Sequence, residues 1–176
     1  MVKQHEKFLI ATVILLAVVI ELSYIPAYPV KLDQSQVLYL AWDFVDKRVF
    51  PVHGILNSLR AYNPPFFVWL YLLPMMLTQD PSRVLILPAL FLHVLALLLL
   101  YSLGRRYFCP RVGLVAAVLY AFSPNGLYFG HSSWAQGLLP SVYVLMVFCF
   151  SQWLLEGKSW YMALLLPLAA LITGIH

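Results

Sequence analysis

Charge is what this chain lacks. Lysine, arginine, aspartate and glutamate make up 10% of its 176 residues, where soluble domains carry about 25%. The deficit excludes a solvated globular surface. With 62% hydrophobic residues, it indicates an all-α integral membrane protein. Cysteine is scarce too. Cys109 and Cys149 lie in different segments with no metal-ligand or redox spacing, which excludes a disulfide scaffold and leaves both as structural residues. The excess of basic over acidic residues, +4, is scattered in pairs at segment ends, as membrane topology requires, and excludes a nucleic-acid-binding patch. No small-x-small cleavage site follows the first apolar run, so that run reads as a retained helix. Paired charges within the spans and a repeated broken-helix pattern are also missing, which argues against a transporter or channel.

What remains is mostly hydrocarbon. A crossing needs about 20 largely apolar residues. Five segments meet that need: Phe8–Ile25, Val84–Leu103, Val112–Phe122, Leu138–Leu155 and Trp160–Ile175. The third is short, but Tyr107-Phe108 and Leu127-Tyr128-Phe129 extend it at the interfaces. Phe66–Thr78 is too short to cross and is interrupted by Pro74, so it reads as re-entrant or interfacial. Positive charge supports that assignment. With Phe66–Thr78 not crossing and a cytoplasmic N-terminus, Lys3, Lys7, Arg105, Arg106, Arg111 and Lys158 all fall inside. If it crossed, only Lys3, Lys7 and Arg83 would.

This topology places a polar loop, Pro26–Pro65, on the non-cytoplasmic side, together with the Asp80–Arg83 turn, Ser123–Gln136 and His176. The loop holds Asp33, Asp43 and Asp46. Val37, Leu38, Leu40, Ala41, Phe44 and Val45 recur there at helical spacing and predict an amphipathic helix of about twelve residues on the membrane surface. Asp33 falls at its N-cap position, with Gln36 three residues on as in a capping box. From spacing alone Asp33 is a cap or a functional carboxylate. Asp43 and Asp46, beside Lys47 and Arg48, read as a solvated face with local ion pairs. Pro51-Val52-His53-Gly54 breaks the helix, and Asn63-Pro64-Pro65 forces an extended approach to the next segment.

At these residues the chain resembles the polytopic glycosyltransferases of the GT-C class, in the branch of protein O-mannosyltransferases and bacterial aminoarabinose transferases. The resemblance rests on Leu32-Asp33-Gln34-Ser35, Asn63-Pro64-Pro65-Phe66, Arg83 opening the next span, Arg105-Arg106-Tyr107-Phe108 with Pro110-Arg111, and Ser123-Pro124. Two positions depart from the family pattern. Asn63 stands where Lys or His is usual, and Gln34 replaces the usual Glu after the acidic residue. The resemblance implies sugar transfer from a polyprenyl-phosphate donor to an acceptor hydroxyl outside the cytoplasm. A carboxylate would take the acceptor's proton and cations would hold the leaving phosphate. It assigns catalysis to Asp33. Arg60, Asn63 and Arg83 are candidates for binding the donor phosphate, with headgroup anchoring the alternative role for each arginine. His131 and Gln136 are candidates for touching sugar or acceptor, and Tyr128 and Trp134 read as interfacial belt residues.

No cofactor or metal site is expected, and Gln34 weakens any role for a divalent metal. The expected partners are a lipid-linked sugar donor, membrane lipids and other membrane subunits, with no nucleic acid. Within the spans, His93 reads as a helix-packing hydrogen bonder or a haem or chlorophyll ligand, and Glu21 as lining the vestibule or reaching the interface. Transferases of this class are usually several hundred residues long with more spans than these five, so the 176 residues are expected to be the N-terminal part of a larger architecture. The competing reading is a non-catalytic structural subunit of a larger membrane assembly.

Overall fold

Apolar runs of this length in hydrocarbon must satisfy their own backbone groups, and helices do so within each segment. The structure, a computed structural model, describes residues 2–23, 30, 32–56, 60–123 and 135–175. Its elements are α1 (Val2–Ser23), α2 (Leu32–Lys47), α3 (Phe66–Leu77), α4 (Pro81–Tyr107), α5 (Pro110–Phe122), a short 3₁₀ turn (Ala135–Leu138), α6 (Leu139–Glu156) and α7 (Trp160–Ile175). Among the described residues the one β-type pairing is an isolated antiparallel bridge between Leu56 and Tyr62. Among the described residues two helical units, Pro81–Tyr107 and Gln136–Glu156, are long and apolar enough to cross a membrane. Phe66–Leu77, Pro110–Phe122 and Trp160–Ile172 are apolar but shorter.

The start of α4 is set locally. Asp80 caps it, its Oδ1 accepting from the amides of Ser82 at 2.9 Å and Arg83 at 3.3 Å, with Pro81 at the first helical position, where no amide is needed. From there α4 runs 27 residues, about 40 Å at 1.5 Å per residue, and the other helices gather around its two halves. The first half packs with α2, α3, the start of α6 and the end of α7 in a cluster that includes Val37, Tyr71, Leu85, Ala89 and Val142. The second half packs with α1 and α5 through Ile10, Val13, Ala17, Leu97, Tyr101, Ala117 and Ala121. α5 folds back on α4 at Gly104 and Gly113. A Cβ on either glycine would collide with the backbone of the other helix, so small residues set this crossing. At the same end Arg106 grips Glu156 with both forks, its Nε donating to Oε1 at 2.7 Å and its Nη2 contacting Oε2. This pair fastens α4 to the end of α6.

Two expectations are corrected. Pro74 does not interrupt the short apolar segment. It lies inside a continuous α3, buried with Phe67, Val68, Tyr71 and Met75. The surface helix is sixteen residues long rather than about twelve, and its apolar face is docked on α3 and α4 rather than left for lipid. The periodicity was legible, but the protein surface it serves was not.

Candidate functional site

α2 begins at Leu32, so Asp33 sits inside the first helical turn rather than at the cap. The sequence reading misses by one position because Leu32 adopts helical geometry ahead of the capping pattern, a shift within the usual uncertainty of helix ends. A first-turn carboxylate still gains from the positive end of the helix dipole. Asp33 is exposed, while its neighbour Gln34 is buried against the core and fixes the rotation of the helix. Further along, Lys47 donates to Asp43 at 2.9 Å. That hydrogen bond, reinforced by the Asp43 charge, holds the Lys47 ammonium above the usual lysine range. The expected local ion pair on this face is therefore present.

The loop after α2 is clasped rather than loose. The Gly54 amide donates to the Asn63 carbonyl at 2.6 Å and the Asn63 amide to the Ile55 carbonyl at 3.0 Å. Gly54 is required by packing. A Cβ there would lie 2.7 Å from the Pro64 carbonyl oxygen and 2.9 Å from that of Asn63. The Trp69 indole donates to the Pro51 carbonyl at 2.9 Å, and Phe44, Phe50, Trp69 and Phe66 form a chain of ring contacts that fixes the loop to α2 and α3. Asn63-Pro64-Pro65 thus serves as the hinge between a clasped loop and a buried helix.

Between α2 and this clasp lies a cleft of about 510 Å³ lined by Ser35, Gln36, Tyr39, His53 and Tyr62, with Leu40 and Ile55 behind them. The His53 and Tyr62 rings face each other with centroids 4.2 Å apart. Asp33 stands one turn before Gln36, just outside this rim. Aromatic faces beside hydroxyl and amide groups can hold the apolar face of a polyol such as a sugar ring while hydrogen-bonding its edge. Among the described residues no group of three His, Cys, Asp or Glu is placed to hold a metal ion.

The candidate residues from sequence divide as follows. Asp33, Asn63, Arg83 and Gln136 lie on elements at the end of the bundle built around the first half of α4. Arg60 is exposed on the loop with φ +57°. The Arg83 guanidinium lies 3.3 Å from Asp80 Oδ2 and is two-thirds exposed. Gln136 is half-buried in the 3₁₀ turn. His131, with Tyr128 and Trp134, lies outside the described residues.

Sequence reasoning missed His53 and Tyr62, because Pro51-Val52-His53-Gly54 registers only as a helix break. Their contact depends on a chain reversal that only the tight Gly54 signals. It also misplaced Glu21. That carboxylate neither lines a vestibule nor reaches an interface, but is 3% exposed against His93, Nδ1 to Oε1 3.2 Å. The helix-packing reading of His93 agrees with this contact.

The comparisons with known proteins address the same segments. The model of the dolichyl-phosphate-mannose-protein mannosyltransferase family matches residues 62–173. The match opens at the clasp, takes in Asn63, Arg83, His131 and Gln136, and leaves Asp33 and Arg60 upstream. Neither a curated protein nor a solved structure matches the chain. With most of its length matched, from the Pro-Pro hinge through α7, the chain belongs to the dolichyl-phosphate-mannose-protein mannosyltransferase family of membrane glycosyltransferases.

Proposed function

We propose that this chain transfers a sugar from a polyprenyl-phosphate donor to an acceptor hydroxyl on the non-cytoplasmic side of the membrane, with Asp33 as the base. In this reading the Asp33 carboxylate removes the hydroxyl proton as the acceptor oxygen attacks the anomeric carbon. The bond from that carbon to the phosphate oxygen breaks, and polyprenyl phosphate leaves. Arg60 and Arg83 bind the departing phosphate with Asn63 beside them, and Gln136 and His131 contact sugar or acceptor. Five crossings follow from the apolar runs and a cytoplasmic N-terminus from the distribution of basic residues, and residues 1–176 form one transmembrane domain.

The observation that supports this reading best is the convergence at one end of the bundle. The acidic first turn of α2 lies one turn before a sugar-sized cleft closed by the clasped loop, and the apolar face of α2 packs on the first half of α4, which Arg83 opens. The test is sugar transfer by the reconstituted full-length protein from a polyprenyl-phosphate donor. Asp33→Asn lowers transfer by about 10²–10⁴-fold if Asp33 is the base, and undiminished transfer removes it from catalysis. A second reading, a non-catalytic subunit, draws on the contact of Arg83 Nε with Asp80 Oδ2 at 3.3 Å, which turns one edge of that guanidinium toward its own helix cap. Absence of transfer by both wild type and variant would support that reading.

A further inference from the structure

Two side chains in the cleft beside α2 have already committed their protons to the backbone. The Ser35 hydroxyl donates to the Leu32 carbonyl at 2.7 Å, as serine within a helix often does. The His53 ring has its Nδ1 3.0 Å from the Gly54 carbonyl oxygen. A carbonyl only accepts, so Nδ1 carries the proton and, in the neutral ring, Nε2 carries the lone pair. Both residues line the cleft. What they retain for a ligand is of one kind: His53 Nε2 and the Ser35 Oγ lone pairs accept hydrogen bonds and do not donate them. Among the described residues neither has a further hydrogen-bond partner.

His53 is also held in orientation. Its ring lies against that of Tyr62, with centroids 4.2 Å apart and planes at 36°. Gly54, whose carbonyl it bonds, is itself clasped to Asn63 through a 2.6 Å amide hydrogen bond. A backbone contact at one nitrogen and a ring against one face leave the imidazole little freedom, so its second nitrogen is preorganised. No Asp, Glu, Lys or Arg is among the lining residues, so a ligand here is recognised by hydrogen bonds rather than by ion pairs. Fixed acceptors select a ligand with hydroxyl groups to donate, because a ligand offering only acceptors leaves them unpaired.

We propose that His53 and Ser35 determine the specificity of this cleft, each accepting a hydrogen bond from one hydroxyl of the bound sugar. That the occupant is a sugar rests on the transferase reading; the pair of acceptors rests on the contacts above. Neither residue takes the proton assigned to Asp33. They fix which sugar lies one turn from that carboxylate and in which orientation, so their contribution is to binding and position.

The experiment measures binding of the methyl glycosides of mannose, glucose and galactose to the reconstituted protein by saturation-transfer NMR, followed by the monodeoxyfluoro derivatives of the best binder. Fluorine replaces a hydroxyl at similar size but donates no hydrogen bond. Substitution at two ring positions weakens binding about tenfold each, the ratio one hydrogen bond supplies. His53→Asn, whose amide still donates to the Gly54 carbonyl but puts nothing in place of Nε2, abolishes the penalty at one of these positions. Ser35→Ala abolishes it at the other, and decides the matter alone should His53→Asn not fold. In transfer, the loss in both variants appears in KM rather than kcat. If His53 serves only to hold the loop, His53→Asn binds the parent glycoside as wild type does, and that result overturns the assignment. Fluoro penalties unchanged in both variants, or no glycoside binding by wild type, overturn it as well. Binding with these penalties in a protein that transfers no sugar removes the transferase reading and leaves the recognition site in place.

Discussion

Glu21 of α1 and His93 of α4 meet in the apolar interior, with Nδ1 3.2 Å from Oε1 and each side chain 5% exposed or less. The contact extends across four helices. The His93 ring lies 5.1 Å from that of Tyr120 on α5, and the Tyr120 hydroxyl is 2.9 Å from Ser141 Oγ on α6. Ionisable groups at this depth are costly unless they pair with one another, so the cluster fixes the rotation of each helix about the bundle. Its energetic role is interhelical.

Replacing His93 with Ala removes the partner and leaves Glu21 buried among apolar side chains. The expected loss is about 1–3 kcal/mol of unfolding free energy in detergent, the range between measured interhelical hydrogen bonds in membranes and unpaired buried groups. Glu21→Gln retains a hydrogen-bonding oxygen and loses less. Thermal unfolding of the two variants side by side checks the order, and a His93→Ala protein as stable as wild type contradicts it.

The α4–α5 hairpin depends on two glycines in direct backbone contact. Gly113→Leu drives a side chain into the Tyr101 carbonyl and the Arg105 amide, both backbone and unable to yield. Overpacking of this kind costs about 1–3 kcal/mol where side chains can adjust, and more is expected here. The prediction is loss of the folded species in size-exclusion chromatography. Gly157→Ala serves as the contrasting variant. Its φ is +66° and nothing lies within 4 Å, so only local backbone strain of about 1 kcal/mol is expected.

Gly54 tests whether the loop clasp serves the site. Gly54→Ala forces the Asn63-Pro64 carbonyls apart and opens the cleft at His53 and Tyr62, while the α2–α3–α4 core is untouched. Transfer activity should fall by tenfold or more, roughly the effect of a misplacement of about an ångström in a positioned site, with the melting temperature lowered far less than in Gly113→Leu, because the clash lies in a loop and not between two packed helices. Parallel measurement of activity and melting distinguishes this from general destabilisation.

The helices were legible because their cause is local. Long apolar runs bounded by Asp80-Pro81, Pro110 and Gly157 place α4 to α7 within a few residues, and the 37, 38, 41 spacing identifies the buried face of α2. What escaped depends on register between distant segments. Nothing near Glu21 or His93 announces that they lie at one depth, since that depends on how α1 docks on α4. The clasp of Gly54 on Asn63 and the facing of His53 and Tyr62 follow from a chain reversal whose reward is a non-local pairing. Asp33 stood one residue from its expected place, which changes its local role from cap to first-turn carboxylate, one turn before the cleft residue Gln36.

The most direct test of the account is the turnover number for sugar transfer from a polyprenyl-phosphate donor by the reconstituted protein, with Asp33→Asn beside wild type. Asparagine keeps the size and polarity of the side chain and removes only its capacity to take a proton. The account predicts that kcat falls by about 10²–10⁴-fold, the contribution of a positioned general base, with KM for the donor nearly unchanged. An Asp33→Asn protein that turns over at the wild-type rate would contradict it.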